Sequence, residues 1–314
     1  MSVRRLSEFV DDRPVFRDSI GVLTSWDDLG LTIVPRSGDP VFLPEKLLVA
    51  GKVVPPFPAR RAPLPAAGPV ELQRIAGRGW PAVEQEPLGE WTLRAAAGFT
   101  RRANSVQALG DPGLPLPQAL EAVRAWYAAR GLPAYVEVVT PGSPGPLLAE
   151  LDRLGAGYAP TLVRTAPLTG LARAGAGHGK VRLARTADDG WLSLYRRVSG
   201  DPAVEEAARQ VLHGGPSVWF ATVPGAPGQP PLAIGRCVIE GAWACFGAIE
   251  VQPYARRAGL ATAVMAVLAS RAAEEGAGGG YLQVEAENAG AIALYDGLGF
   301  TTSHTYHYAL LPQG

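Results

Sequence analysis

The stretch FGAIEVQPYARRAGLATAVMAVLASRAAEEG, from Phe246 to Gly276, decides the fold of this chain. Its apolar start predicts a strand from Phe246 to Val251, and its Ala-rich second half predicts a helix from about Leu260. Between them lie two arginines, a glycine and other small residues. A glycine lets the backbone approach a ligand closely, and the first turn of a helix carries unpaired N–H groups. We therefore expect an anion site here that suits a pyrophosphate.

A second stretch, YLQVEAENAGAIALYDGLGF, runs from Tyr281 to Phe300. It predicts a strand and then a helix in which Asn288, Ala291 and Tyr295 share one face. Together the two stretches read R-x-x-G-x-A followed by N-x-x-A-x-x-L-Y-x-x-x-G-F. This pattern closely resembles the GCN5-related N-acetyltransferase (GNAT) superfamily, over roughly residues 181 to 311. The resemblance implies an enzyme that uses acetyl-CoA as cosubstrate.

The resemblance also implies roles for single residues. Tyr295 looks like the general acid that protonates the leaving thiolate, since a phenol has an unperturbed pKa of about 10 and a thiol one of about 8.5. The first strand would pair its backbone with the pantetheine arm, and the turn would hold the pyrophosphate. The residues implied to bind acetyl-CoA are Ile249, Val251, Arg256, Arg257, Ala258, Gly259, Leu260, Ala261, Thr262 and Asn288.

The general base is less clear from the sequence. Ribosomal-protein acetyltransferases, which the motif resembles, carry a glutamate where this chain has Gln283, and an amide does not take up a proton at neutral pH. Glu285, on the same strand face as Gln283, and Glu250, beside the turn, are the candidate replacements. Both also fit ordinary polar residues at strand ends, and a water chain is a third alternative.

Composition argues against several classes of function. Lys+Arg 29 against Asp+Glu 29 gives zero net charge, so we expect no nucleic-acid partner and no anionic membrane surface. The only cysteines, Cys237 and Cys245, fall in apolar segments, as reduced thiols of a cytoplasmic protein do. The start of the chain lacks a signal-peptide core, which also favours the cytoplasm. The four histidines have no metal-ligand grouping, so we expect no metal.

The N-terminal part predicts a separate small domain. Short apolar runs alternate with turns from Ser19 to Pro55, which favours an SH3-like β-barrel over residues 1–57 with Trp26, Phe42 and Leu43 in its core. The proline-rich segment that follows predicts an extended linker over residues 58–69.

The rest of the chain contains an internal repeat. YVEV begins at Tyr135 and YLQV at Tyr281, an offset of 281 − 135 = 146, and the pairs Leu154 with Leu298 and Val106 with Val251 give 144 and 145. We therefore predict a first GNAT-like domain over residues 70–172, a linker over 173–180 and a catalytic GNAT domain over 181–314. The first copy has GDPGLPLP in place of the arginine-glycine turn and Leu151 in place of Tyr295, so we expect it to be non-catalytic.

The first copy still offers candidate acceptor-binding residues. If FTRRANSV is a strand, Arg102 and Asn104 face one side and Arg101 the other, so one polar face meets the cleft of the second copy. Solvated arginines on an edge strand are the equally simple alternative. The N-terminal arrangement also resembles bacterial proteins of a short N-acetylglutamate synthase type, which implies glutamate as acceptor, with Arg101 or Arg102 binding a carboxylate.

The predicted fold class is α/β (α+β), with tandem GNAT-like mixed sheets, helices on both faces, and a small SH3-like barrel in front. The predicted function is acetyl-CoA dependent N-acetylation of a small-molecule primary amine, such as the amino acid glutamate. Two alternatives stay open: a catalytically weak CoA-binding regulatory or scaffold protein, and a protein or peptide N-acetyltransferase. The sequence does not predict an oligomeric state.

Overall fold

The computed structural model describes residues 1–10, 13–35, 39–52, 64–154, 160–172, 181–195 and 200–312. The chain forms two compact units, Met1–Arg61 and Ala62–Gly314. Residues 58–63 of the first predicted linker and all of the second, 173–180, lie outside the described residues. The predicted linker and domain boundaries therefore stay predictions.

The described residues of Met1–Arg61 form two three-stranded antiparallel sheets, β2-β1-β6 and β3-β4-β5. The strands are β1 (Ser2–Val10), β2 (Arg13–Ile20), β3 (Val22–Asp27), β4 (Gly30–Val34), β5 (Val41–Pro44) and β6 (Leu48–Lys52). Val3, Leu31, Ile33 and Leu43 form their core. Whether this arrangement is an SH3-like barrel stays a prediction.

Two of the three residues predicted for this core are exposed. Leu43 is buried, but Trp26 is 57% and Phe42 54% exposed. Neighbouring residues of a strand point to opposite faces, so Phe42 and Leu43 on β5 cannot both reach one core. Trp26 lies on β3, whose residues are all exposed, and its indole donates a hydrogen bond to Glu45 Oε2 at 3.1 Å.

In the described part of Ala62–Gly314, eleven strands form one mixed sheet. They are β7 (Glu84–Leu88), β8 (Trp91–Ala95), β9 (Val106–Gln107), β10 (Tyr135–Thr140), β11 (Thr161–Pro167), β12 (Arg182–Ala184), β13 (Ser217–Val223), β14 (Ala233–Glu240), β15 (Trp243–Val251), β16 (Gly279–Glu285) and β17 (Thr301–Leu310). Their order is β12-β13-β14-β15-β16-β11-β17-β10-β9-β8-β7.

The two repeats exchange their last strands. β11, from the first repeat, pairs with β16 of the second, and β17, from the second repeat, pairs with β10 of the first. β11 and β17 also pair with each other at the centre of the sheet. Side chains on the last strand of one repeat therefore pack in the core of the other.

The strand pairing corrects one register of the repeat. Val136 of β10 pairs in parallel with Val106, and Leu282, the equivalent of Val136 at an offset of 146, pairs in parallel with Phe246. Val106 is therefore the equivalent of Phe246, at 246 − 106 = 140, and not of Val251. A match of three residues, such as SVQ with EVQ, does not fix the register of two strands, because the register also depends on the lengths of the turns around them.

Helices cover both faces of the sheet, which confirms the predicted fold class. They are α1 (Pro69–Gly79), α2 (Leu116–Ala128), α3 (Gly145–Arg153), α4 (Leu168–Leu171), α5 (Asp189–Leu194), α6 (Pro202–His213), α7 (Leu260–Glu274) and α8 (Ala289–Gly297). On one face α1, α5 and α6 pack over Cys245, Tyr281 and Tyr306. On the other, α7 and α8 cover Phe246 and Leu282, while α2 and α3 cover the first repeat. No helix in the described residues is long and apolar enough to span a membrane.

The segment FTRRANSV is not the strand that the sequence predicts. Arg101–Ala103 form a 3₁₀ turn, and only Val106–Gln107 are extended as β9. The Asn104 amide explains the turn: its Oδ1 accepts hydrogen bonds from Ala96 N and Gly98 N, and its Nδ2 donates to Phe99 O and Thr100 O. A side chain that satisfies four backbone groups stabilises a compact loop in place of a sheet ladder.

Candidate active site

The strands β15 and β16 separate in the middle of the sheet. Their parallel pairing ends at Phe246 with Leu282, after which β15 continues with β14 as far as Val251, and β16 continues with β11. A bulge with Ala248 at φ 51° bends β15 at this point. In the described residues, no strand pairs with the β16-facing edge of β15 beyond Phe246. Its backbone N–H and C=O groups are free for a ligand that lies along the strand.

The turn after β15 supplies further donors. Arg257 and Gly259 have the left-handed φ values 62° and 74°, and Gly259 is the N-cap of α7 with no side-chain hydrogen bond. A Cβ on Gly259 would meet nothing within 4 Å, so space lies open in front of this helix end. The first amides of α7 have no intrahelical partner, and Arg256 and Arg257 are exposed beside them. This arrangement suits a phosphate anion.

Helix α8 brings two of the predicted side chains toward the same gap. Asn288 is its N-cap and accepts a hydrogen bond from Ala291 N at 3.1 Å. Tyr295 lies two turns further on, is 9% exposed, and packs its ring against Phe300 at 5.8 Å. Burial, and then the nearby Glu250 carboxylate, raises the pKa of Tyr295 to about 12. The phenol therefore carries its proton throughout the neutral range.

A cavity of about 710 Å³ lies between the β15 edge, the turn and α8. All the predicted acetyl-CoA residues line it except Ala258, which is exposed. Glu250 and Tyr295 line it too, whereas Glu285, the other candidate base, is exposed at the end of β16 and does not. Sequence reasoning missed Gly290 and Ala293, two small residues of α8 that leave room for a ligand. The sequence could have indicated them, because both are small residues of α8 that lie close to Asn288 and Tyr295.

The predicted acceptor residues do not line this cavity. Arg102 is half-buried, with its guanidinium 5.3 Å from the centre of the Trp80 ring and its Nε buried without a hydrogen-bond partner. Arg101 is exposed and lies over the Tyr135 ring at 5.8 Å. Asn104 is buried and its amide is occupied by the loop, so the strand face that was to join it with Arg102 does not exist.

The first repeat has a smaller cavity in the equivalent place, about 310 Å³, between the starts of α2 and α3. Prolines and leucines line most of it, and its only charged residue is Asp111. Pro115 is the N-cap of α2 and Pro117 removes one amide of the opening turn. The side chains that line this cavity therefore offer no positive charge to an anion. In the described residues, no group of three or more His, Cys, Asp or Glu side chains could hold a metal ion.

Known proteins place these features in a family. A family model described as "Probable histone acetyltransferase Rv0428c C-terminal" matches residues 70–309. The chain is 28% identical over 259 residues to the uncharacterised N-acetyltransferase YobR of Bacillus subtilis, which covers 76% of this chain and 97% of YobR.

Two solved structures share the fold. A GCN5-related N-acetyltransferase from Kribbella flavida matches at a TM-score of 0.56 with 18% identity, over 79% of this chain and 98% of its own. A tandem GNAT protein from the clavulanic acid biosynthesis pathway matches at 0.51 with 16% identity, over 67% of this chain and 76% of its own. With the family match over both repeats, the chain belongs to the GNAT N-acetyltransferase family, in the branch described as probable histone acetyltransferase Rv0428c C-terminal.

Proposed function

We propose that this GNAT-type N-acetyltransferase moves the acetyl group of acetyl-CoA directly to the primary amine of a small molecule. The observation that carries the proposal is the cavity of about 710 Å³, in which a free strand edge, an uncapped helix start and a buried phenol meet. In acetyl-CoA, the strand edge would pair with the amide-bearing arm, the helix start would hold the pyrophosphate, and the phenol would lie beside the thioester. We also propose that the protein acts in the cytoplasm, because its two cysteines are free and buried, as reduced thiols in that compartment are.

The residues present fit acetyl-CoA as substrate. The amides that open α7, together with Arg256 and Arg257, are donors for the pyrophosphate. The edge of β15 at Ile249 and Val251 offers backbone groups to the amide-bearing pantetheine arm. Asn288 Nδ2 remains a donor beside the thioester, since its Oδ1 is engaged with Ala291 N.

In the transfer step, the amine nitrogen bonds to the acetyl carbonyl carbon and the C–S bond breaks. The nitrogen loses a proton and the sulfur gains one, so the products are an N-acetylated amine and a free thiol. Glu250 is the residue of the cavity that can accept the first proton, and Tyr295 can donate the second. When Glu250 takes up a proton its charge disappears, and with it one cause that raises the pKa of Tyr295. Tyr295 therefore becomes a stronger acid when Glu250 is protonated.

The proposal also names the class of acceptor, a small amine. A small amine fits the resemblance to glutamate-acetylating proteins, whereas the description of the family favours a protein acceptor. Thiol release from acetyl-CoA should be measured with amino acids, polyamines and lysine-containing peptides. We expect turnover with small amines. Turnover with peptides alone would overturn the small-molecule acceptor, and acetyl-CoA that fails to bind would overturn the assignment of the cavity.

A further inference from the structure

Two guanidinium groups lie next to one indole ring, on the face of the sheet that α1, α5 and α6 cover. The guanidinium carbon of Arg236 is 5.0 Å and that of Arg102 is 5.3 Å from the centre of the Trp80 ring. Arg236 is 1% exposed and Arg102 is half-buried. Both groups carry a positive charge, and like charges repel each other more strongly away from water.

Neither arginine has a carboxylate within ion-pairing distance in the described part of the chain. Arg236 instead donates to the backbone carbonyls of Leu212, Gly214, Val211 and Gly79. Burial lowers its pKa to about 10, so it stays charged at neutral pH. Arg102 lies near Tyr306, Tyr308 and Cys245 and makes a side-chain hydrogen bond with Tyr306, whereas its buried Nε has no hydrogen-bond partner. Buried charge without a counter-charge is costly, so the region favours an anion.

A second unsatisfied donor lies on the same face. Gln283 follows Leu282, the last residue of β16 that pairs with β15, and alternation puts it on the face of Tyr281. Tyr281 and Trp80 belong to the same core. The Gln283 Nε2 is buried without a hydrogen-bond partner. The structure thus has two buried donor atoms without a partner on this face, Arg102 Nε and Gln283 Nε2, and Gln283 lies where the strands separate and the acetyl group would arrive.

We infer that Arg102, Arg236 and Gln283 form a carboxylate-binding cluster, so that the acceptor is a primary amine that also carries a carboxylate, as a free amino acid does. A guanidinium and an amide are suitable donors to the two oxygens of a carboxylate. Because the guanidinium of Arg236 already donates to four backbone carbonyls, it would attract the carboxylate through its positive charge and not through a hydrogen bond. The inference rests on the proposed acetyl transfer and names its acceptor class.

The cluster also explains the amide at position 283. A glutamate there would add a negative charge on the same face and neutralise the arginines, whereas Gln283 keeps the site positive. A lysine-rich peptide would bring more positive charge to this region, which disfavours it as acceptor.

The test compares each amino acid with its amide, which has the same shape without the charge. At saturating acetyl-CoA, we expect kcat/KM to be at least tenfold higher for the acids. Arg102→Gln should reduce this ratio to about one, and Gln283→Met should reduce it in the same direction. The matched control is Arg209→Gln, which removes the same charge from a half-exposed position on α6 and should leave the ratio unchanged.

Gln283→Met protects the test against loss of folding, because it replaces a side chain whose buried Nε2 has no hydrogen-bond partner by an apolar side chain of similar size. Calorimetry with the CoA-loaded protein gives a readout without turnover: an N-acetylated amino acid should bind at least tenfold more tightly than its amide. Equal affinity, or an acid-to-amide ratio of about one in the wild type, would overturn the carboxylate cluster. Tight binding of the acid without any acetylation would instead contradict the proposed transfer.

Discussion

Arg164 Nη2 lies 2.6 Å from Asp296 Oδ1, and this ion pair joins a strand of the first repeat to the helix that carries Tyr295. The same nitrogen donates to Phe300 O at 2.6 Å, and Nη1 donates to Ile292 O at 3.4 Å. Arg164 is 6% exposed on β11, which strand exchange places beside β16. The first repeat therefore holds the end of α8, the helix that carries Tyr295, in place.

Replacing Arg164 with Met should lower the unfolding free energy by about 2 to 4 kcal/mol, because buried carbonyls lose a charged donor. We also expect kcat to fall at least fivefold, since α8 is less firmly held. Urea denaturation and steady-state kinetics measure the two effects. Asp296→Asn is the control, because Asp296 is 58% exposed in its side chain and should cost under about 1 kcal/mol. Wild-type kcat in a folded Arg164→Met protein would show that this contact does not position Tyr295.

The strand exchange marks one limit of the sequence analysis. The order of strands and helices within each repeat is predictable, because each element has its own apolar period. The repeat that receives β11 or β17 is not predictable, because both strands pair antiparallel with their neighbours and no local residue specifies which neighbour that is.

The residues of the predicted turn lie together in the structure, whereas the predicted strand at Arg101 does not form. A turn that binds an anion depends on a few adjacent residues, and those residues, Arg256 to Thr262, do line the cavity apart from Ala258. The prediction of a strand at Arg101 was wrong because the Asn104 side chain bonds to backbone groups up to eight residues away, and the alternation of residues along a strand does not reveal such contacts. The unpaired donors of Arg102 and Gln283 depend on the whole three-dimensional packing, so only the structure could show them.

Gly259→Asp should weaken acetyl-CoA binding at least tenfold, about 1.4 kcal/mol, because it places a negative charge where the pyrophosphate should lie. The matched control is Gly259→Asn, since both side chains tolerate the left-handed backbone and differ only in charge. Calorimetry with acetyl-CoA measures both variants. Equal affinities for the Asp and Asn proteins would mean that no phosphate lies at this helix start.

Glu250→Gln should lower kcat about a hundredfold, because it removes the carboxylate of the cavity that can accept the amine proton. Glu285→Gln should change kcat less than twofold, since Glu285 is exposed outside the cavity. The reverse pattern would assign the base to Glu285.

The stability of the larger unit should depend on His304. Its Nε2 donates to Gln73 Oε1 at 3.0 Å, and burial, partly offset by the nearby Glu137 carboxylate, lowers the pKa of His304 to about 4. The unfolded chain takes up this proton near pH 6.5 and the folded chain only near pH 4, so stability present above pH 6.5 is lost as the pH falls to 4.

Urea denaturation between pH 7.5 and 4 should therefore show a steeper loss for the wild type than for His304→Gln, which keeps a neutral donor toward Gln73. We expect a difference on the order of 2 kcal/mol at pH 4, after allowance for solvent screening. His307, whose pKa burial also lowers, is present in both proteins and cancels. Parallel pH profiles would show that His304 is not the residue that titrates.

Tyr295→Phe tests the chemistry most directly, because it keeps the ring that packs against Phe300 and removes only the hydroxyl. The unfolding free energy and the affinity for acetyl-CoA should hardly change. If the phenol protonates the leaving thiolate, kcat should fall by about 10² to 10⁴ with little change in KM. Because the pKa of Tyr295 is about 12, its ionisation should not limit the wild-type rate below pH 10. A variant that turns over at the wild-type rate, with chemistry shown to be rate-limiting, would mean that water or the substrate's own ammonium group protonates the sulfur.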